Sequence, residues 1–99
     1  MNVKIHSIHF QTDSKLEEFV KLKMSRVERF VNRIIDAQVF LKLDHNKGNV
    51  KDKIAEIRLQ LPGKILFAEE RSRQFEESVE LATDSIVRQV KKHKERLQQ

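Results

Sequence analysis

Ala55-Glu56-Ile57-Arg58-Leu59-Gln60-Leu61-Pro62-Gly63-Lys64-Ile65-Leu66-Phe67 is the segment that decides the architecture. Apolar and polar residues alternate from Ala55 to Leu61, the period of a strand with one buried face. Pro62-Gly63 ends that strand, and a second apolar run starts at once, so the chain doubles back as a hairpin. A two-residue hairpin loop favours types I′ and II′, and Pro at its first position suits neither. The expectation is therefore a loop of Pro62, Gly63 and Lys64 that pairs Leu61 with Ile65. That register puts Ile65 and Phe67 on the core face.

Working outward toward the N-terminus, the strand over about 53–61 is preceded by the turn residues Asn46-Lys47-Gly48-Asn49. Before them, residues 37–44 alternate again. Ala37, Val39, Leu41 and Leu43 share one face, while Gln38, Phe40, Lys42 and Asp44 share the other. Further back, Leu16, Phe19, Val20, Met24, Val27, Phe30, Val31 and Ile34 recur at spacings of three and four, which predicts an amphipathic helix of about 20 residues. Thr12, Asp13 and Ser14 offer N-caps for it, and Ser14 with Glu17 fits a capping box. Residues 2–10 open with alternation, Val3 and Ile5 against Lys4 and His6, and read as a strand. Toward the C-terminus, Phe75, Val79, Ala82, Ile86, Val90 and Leu97 form the stripe of a helix that starts near 70–73 and runs to 97.

The order is β-α-β-β-β-α, an α+β fold. Each helix has one apolar stripe and the strands have one mainly apolar face. Two helices on one side of a four-stranded sheet bury all of them. Strands 1 and 2, if parallel, require a right-handed crossover through the first helix. The 99 residues make one domain.

Composition narrows the chemistry. Charged residues make up 35% of the chain and the formal net charge is +5, which biases the protein toward anionic partners. The absence of cysteine excludes thiol catalysis, disulfides and Cys-based zinc sites. The start, Met1-Asn2-Val3-Lys4-Ile5-His6, lacks the apolar core of a signal peptide, and no apolar run is long enough to span a bilayer. The cytoplasm is the simplest placement. His6, His9, His45 and His93 are scattered. His6 and His9, three apart on a strand, point to opposite faces and make a poor metal pair. His93 falls on the stripe of the last helix as a packed edge residue. Two glycines cannot build a phosphate loop, and no Ser or Thr has a triad context. No enzyme, cofactor or metal is expected.

The cations are organised. With Leu16 at 0° and each residue advancing 100°, Lys15, Arg26, Arg29 and Arg33 fall between about 220° and 280° and form a basic flank beside the stripe. Lys23 lands inside the stripe at about 340°. It either snorkels along apolar neighbours or serves a function. The second helix carries Glu76, Glu77, Glu80 and Asp84 early and Arg88, Lys91, Lys92, Lys94 and Arg96 late. The helix dipole explains the direction of that gradient. It does not explain five cations within residues 88–96, where like charges four apart repel. Arg88, Lys92 and Arg96 form one row, and such a row suits a polyanion such as RNA. Of the six phenylalanines, Phe19, Phe30, Phe67 and Phe75 are assigned to the core. Phe10 ends the first strand. Phe40 points to the opposite sheet face, where neighbours shield it.

Two blocks resemble the ribosome hibernation-promoting factors, also called ribosome-associated inhibitor or ribosomal subunit interface proteins. The first runs from Leu16 through Lys23, Arg26 and Glu28 to Arg33 and Ile34, and into the strand Val39-Phe40-Leu41-Lys42-Leu43. The second is Val87-Arg88-Gln89-Val90-Lys91-Lys92-His93-Lys94-Glu95-Arg96-Leu97. The resemblance covers nearly the whole chain, and the order and spacing of the blocks are specific. It implies a non-enzymatic factor that binds the small ribosomal subunit and its 16S rRNA, in the mRNA and tRNA channel near the decoding centre. Such a factor inhibits translation in stationary or stressed cells. It also implies a fold similar to a double-stranded-RNA-binding domain with an added first strand. Lys23, Arg26, Arg88, Lys91, Lys92 and Lys94 match the family's RNA-facing positions, and the charge rows add Arg29, Arg33 and Arg96. The expected partners are the small subunit, its rRNA and the whole ribosome, with no membrane, no small-molecule substrate and a protein monomer. Glu76 stands where the family tends to carry tyrosine, and Ser85 where a basic residue is frequent. The chain matches the short type, without a C-terminal dimerisation domain. Two rival readings are a protein-binding regulator of the sigma-factor modulator type, using Phe40 and the acidic start of the last helix at Glu76, and a free-standing duplex-RNA binder.

Overall fold

The computed structural model describes residues 1–44 and 53–97, so the turn at Asn46–Asn49 and His45 lie outside the described residues. The elements are β1 (Val3–Ile8), α1 (Ser14–Glu28), β2 (Asp36–Leu43), β3 (Lys53–Leu61), β4 (Lys64–Ser72) and α2 (Phe75–Leu97). They form one four-stranded sheet in the order β1-β2-β3-β4. β1 runs parallel to β2, with Val3 opposite Ala37 and Ile5 opposite Val39. The two hairpin pairs are antiparallel. The expected β-α-β-β-β-α order and four-stranded sheet with two helices are therefore present.

The alternation seen in the sequence builds the core. Val39, Leu41, Ile57 and Leu59 point from the sheet to one side and are fully buried. They meet Val20, Met24 and Val27 of α1 and Val79, Ile86 and Val90 of α2. Two polar side chains are buried with them, and both are satisfied. Ser78 donates to the Lys53 carbonyl at 2.6 Å, and Thr83 donates back to the Val79 carbonyl at 2.9 Å. Buried polar groups without such partners would be costly.

Three boundaries differ from the sequence reading, and one of the three offered N-caps is selected. β1 stops at Ile8 because His9 turns into the left-handed region, at φ 72°, a break that an extended ladder cannot carry. α1 is capped by Asp13 rather than by Ser14, the Asp13 carboxylate accepting from the Leu16 amide at 2.8 Å. α1 also ends at Glu28, well short of Ile34. The amides of Arg29, Phe30 and Val31 bond three residues back, to Arg26, Val27 and Glu28, which tightens the last turn and releases the chain. Phe30, Val31 and Ile34 still pack on the core, so their apolar spacing survives although the helix does not. α2 starts at Phe75 because β4 continues to Ser72.

The β3–β4 hairpin has the shorter loop. Leu61 pairs with Lys64 and Leu59 with Leu66. Pro62 followed by Gly63 at φ 76° has the residue types of a type II turn, Pro at its second position and a positive-φ residue at its third. The register therefore moves by one, which inverts every side chain of β4. Leu66 and Ala68 are buried, whereas Ile65 and Phe67 are 60% and 45% exposed on the opposite face. Phe40 lies on that open face as expected, half-buried. Its ring stacks on His6 at 4.6 Å between centroids, and the Arg58 guanidinium sits 6.0 Å from its centroid.

Candidate nucleic-acid interface

The helices lie side by side on the buried face of the sheet, and their contacts fix their mutual direction. Phe10, just before α1, stacks on Phe75 at the start of α2, with centroids 4.6 Å apart. Lys23 Nζ reaches Glu80 at 3.2 Å. Arg26 Nη1 reaches Asp84 at 2.9 Å. Lys91 Nζ stands over the Phe30 ring, 4.9 Å from its centroid. The partners ascend together along both helices, so α1 and α2 run parallel. Both C-termini point to the same end of the molecule, with their partial negative charges. Acids gather at the other end, Glu17 and Glu18 in α1 with Glu76 and Glu77 in α2.

This geometry sorts the candidate residues into two sets. Lys23 and Arg26 are occupied within the molecule by carboxylates of α2. Lys23 shows the geometry of the snorkelling reading. Its stem snorkels past Phe19, whose centroid is 5.4 Å from Nζ, and its head ends at Glu80, leaving the side chain only 24% exposed. The second set has no carboxylate partner. Arg88, Lys91, Lys92, Lys94 and Arg96 make no ion pair among the described residues, and neither do Arg29 and Arg33. All seven are exposed.

Arg29 and Arg33 do not continue a helical row, because Arg29 is the C-cap of α1 and Arg33 lies in the segment beyond it. The parallel packing nevertheless brings them to the basic end of α2. Arg33 and Lys94 line one hollow there. Arg88, Lys91 and Lys92 line a shallow groove along the outer side of α2.

One cation escaped the sequence reading. Lys64 lines a hollow with Lys92, His93 and Arg96. In the observed register Lys64 shares the face of Leu66 and Ala68, so it projects toward α2. A three-residue loop would have put it outside the ladder. The two-residue reading of Pro62-Gly63 was the signal that could have found it. Ser85, one of the positions that departs from the family pattern, is half-buried and accepts from Gln89 Nε2 at 3.2 Å. The same amide donates to the Phe67 carbonyl at 2.8 Å, tying α2 to the edge strand β4. Among the described residues no group of three or more His, Asp or Glu could hold a metal. No helix among them is long and apolar enough to cross a membrane.

A basic end of this kind can hold phosphates at several points without reading bases. Comparison with known proteins is consistent across sequence and fold. A ribosome hibernation promotion factor of Deinococcus radiodurans is 33% identical over 81 residues, 82% of this chain and 42% of that protein. The chain thus spans less than half the length of that relative. A ribosome hibernation promoting factor of Pseudomonas putida is 31% identical over 98 residues, 99% of this chain and 91% of the relative. The crystal structure of the Thermus thermophilus Protein Y N-terminal domain superposes with a TM-score of 0.79 at 25% identity, over 94% of this chain and 99% of that one. A ribosomal subunit interface protein from Coxiella burnetii shares the fold with a TM-score of 0.84 at 20% identity, over 95% and 98% of the two chains. The family model described as Sigma 54 modulation protein / S30EA ribosomal protein matches residues 3–98, and this chain belongs to that family.

Proposed function

We propose that this protein is a non-enzymatic ribosome hibernation factor. In this reading it acts in the cytoplasm of stationary or stressed cells, binds the small ribosomal subunit through 16S rRNA and inhibits translation. It does so by steric exclusion, lying in the mRNA and tRNA channel near the decoding centre. The observation that carries the reading is the convergence of unpaired cations where two parallel helices end, in a chain whose relatives are named for ribosome hibernation. Arg88, Lys91, Lys92, Lys94 and Arg96 engage phosphates, with Arg29, Arg33 and Lys64 beside them. Lys23 and Arg26 join only by exchanging Glu80 and Asp84 for phosphate. Binding is led by shape and charge.

The rival reading, a protein-binding regulator, needs Phe40 and the acids of α2 free. Phe40 is stacked by His6, and Glu80 and Asp84 already hold cations, which leaves Glu76 and Glu77 in the first turn of α2 as the exposed acids such a partner would use.

The test is sedimentation of the purified protein with small subunits, large subunits and whole ribosomes on sucrose gradients at low and high salt. The expected result is co-migration with the small subunit and the whole ribosome, lost as salt rises. The variant Arg88→Glu/Lys92→Glu should fold normally, because both residues lie on the solvent side of α2, and should leave every ribosomal peak. Unchanged co-migration of that variant would sink the proposal.

A further inference from the structure

At the basic end of the molecule lies a hollow of about 210 Å³ that charge alone does not explain. Its wall is apolar, built from Leu61 and Pro62 of the β3–β4 hairpin with Val90 and Leu97 of α2. Leu97 stands 72% exposed, a large apolar side chain at the edge of a cationic surface. Arg33 and Lys94 form the rim, and Val31, His93 and Asn32 complete the lining. Three separate elements thus meet to enclose apolar space beside two positive charges.

We infer that this hollow receives one unpaired nucleobase of the bound RNA, while Arg33 and Lys94 hold the phosphates that flank it. The inference rests on the RNA-binding reading above and adds to it a contact with a base. Charge complementarity selects the occupant. An apolar wall between two cations suits a ligand with a flat, weakly polar body and an anionic frame on both sides, which is a nucleotide displaced from its stack. Unstacked bases in RNA loops and bulges are held on aromatic or histidine rings, and His93 supplies such a ring. Asn32 brings an amide that both donates and accepts, suited to the edge of a base. The hollow is too small for a partner helix. A duplex offers it nothing, because paired bases stay inside the stack.

The experiment compares two footprints on small subunits: dimethyl sulfate together with a carbodiimide for the reactivity of all four bases, and hydroxyl radicals for the backbone. The wild type should protect both a backbone tract and at least one unpaired base. His93→Ala and Leu97→Ser should lose that base protection, retain the backbone tract and bind roughly tenfold more weakly, the scale on which removal of one base-stacking side chain acts. Leu97 is exposed, so its variant folds even if His93→Ala does not. A backbone tract with no protected base, or base protection that both variants keep, overturns this inference and leaves the ribosome reading intact. Absence of both footprints at low salt overturns the two together. A photoreactive residue in place of Leu97 should crosslink to rRNA; crosslinking to a ribosomal protein instead would assign the hollow to a protein partner and overturn the inference.

Discussion

Arg26 and Asp84, 2.9 Å apart, bear on affinity more than on stability. Their side chains are 47% and 36% exposed, and ion pairs in water contribute about 0–1 kcal/mol because solvent screens them and two long side chains must be ordered. For binding, however, each pair sets a carboxylate where a phosphate would go. Glu80→Gln/Asp84→Asn should therefore tighten association with small subunits several-fold at low salt while changing the urea midpoint little; weaker binding would mean that the acids hold Lys23 and Arg26 in a needed pose. Gly63 is the other residue with a sharp expectation. A Cβ there would meet nothing within 4 Å, but φ is 76°, so Gly63→Ala suffers only the left-handed backbone, about 1 kcal/mol. Equilibrium denaturation should register that loss with the fold otherwise unchanged.

Among the elements, α1 is where cap and packing can be separated. Asp13→Ala removes the acceptor of the Leu16 amide and should lower stability by about 0.5–2 kcal/mol in a denaturant titration. Ile57→Ala, fully buried in β3, should lower it by about 2–5 kcal/mol through the forfeited transfer energy and the cavity left behind. The same elements mark what could be read without coordinates. β3 was legible because period-two alternation over Ala55–Leu61 has one interpretation. The end of α1 was not, since Phe30, Val31 and Ile34 bury themselves after the helix has stopped, and spacing reports burial rather than backbone. β4 was read one residue out of register because the type II turn at Pro62-Gly63 is uncommon in hairpins, and that slip misplaced Ile65, Phe67 and Lys64 together. The cations of α2 were visible as a row. Engagement of Lys23 and Arg26 by Glu80 and Asp84 was not, because those partners lie 57 and 58 positions away in the chain and meet only once the helices are packed.

At the scale of the whole molecule the expectation concerns salt. If each phosphate held by a cation releases a counterion, the logarithm of affinity falls linearly with the logarithm of salt concentration. Arg88→Ala/Lys92→Ala should make that slope shallower by about two units, one for each phosphate no longer neutralised. Titrations of ribosome association from low to moderate salt would check it, and an unchanged slope would remove both residues from the footprint.

Parallel packing of α1 and α2 has one more consequence. The protein measures 48 × 25 × 18 Å, and because the helices point the same way their acids and bases accumulate at opposite ends rather than cancelling. The molecule is an electric dipole as well as a cation. In the field of a polyanion it feels a torque before it touches anything, and it turns its helix C-termini forward while still in solution. Reversing one helix with the same residues would preserve the net charge and weaken that torque. Orientation on arrival is thus a property of topology, and it governs how often a collision is productive.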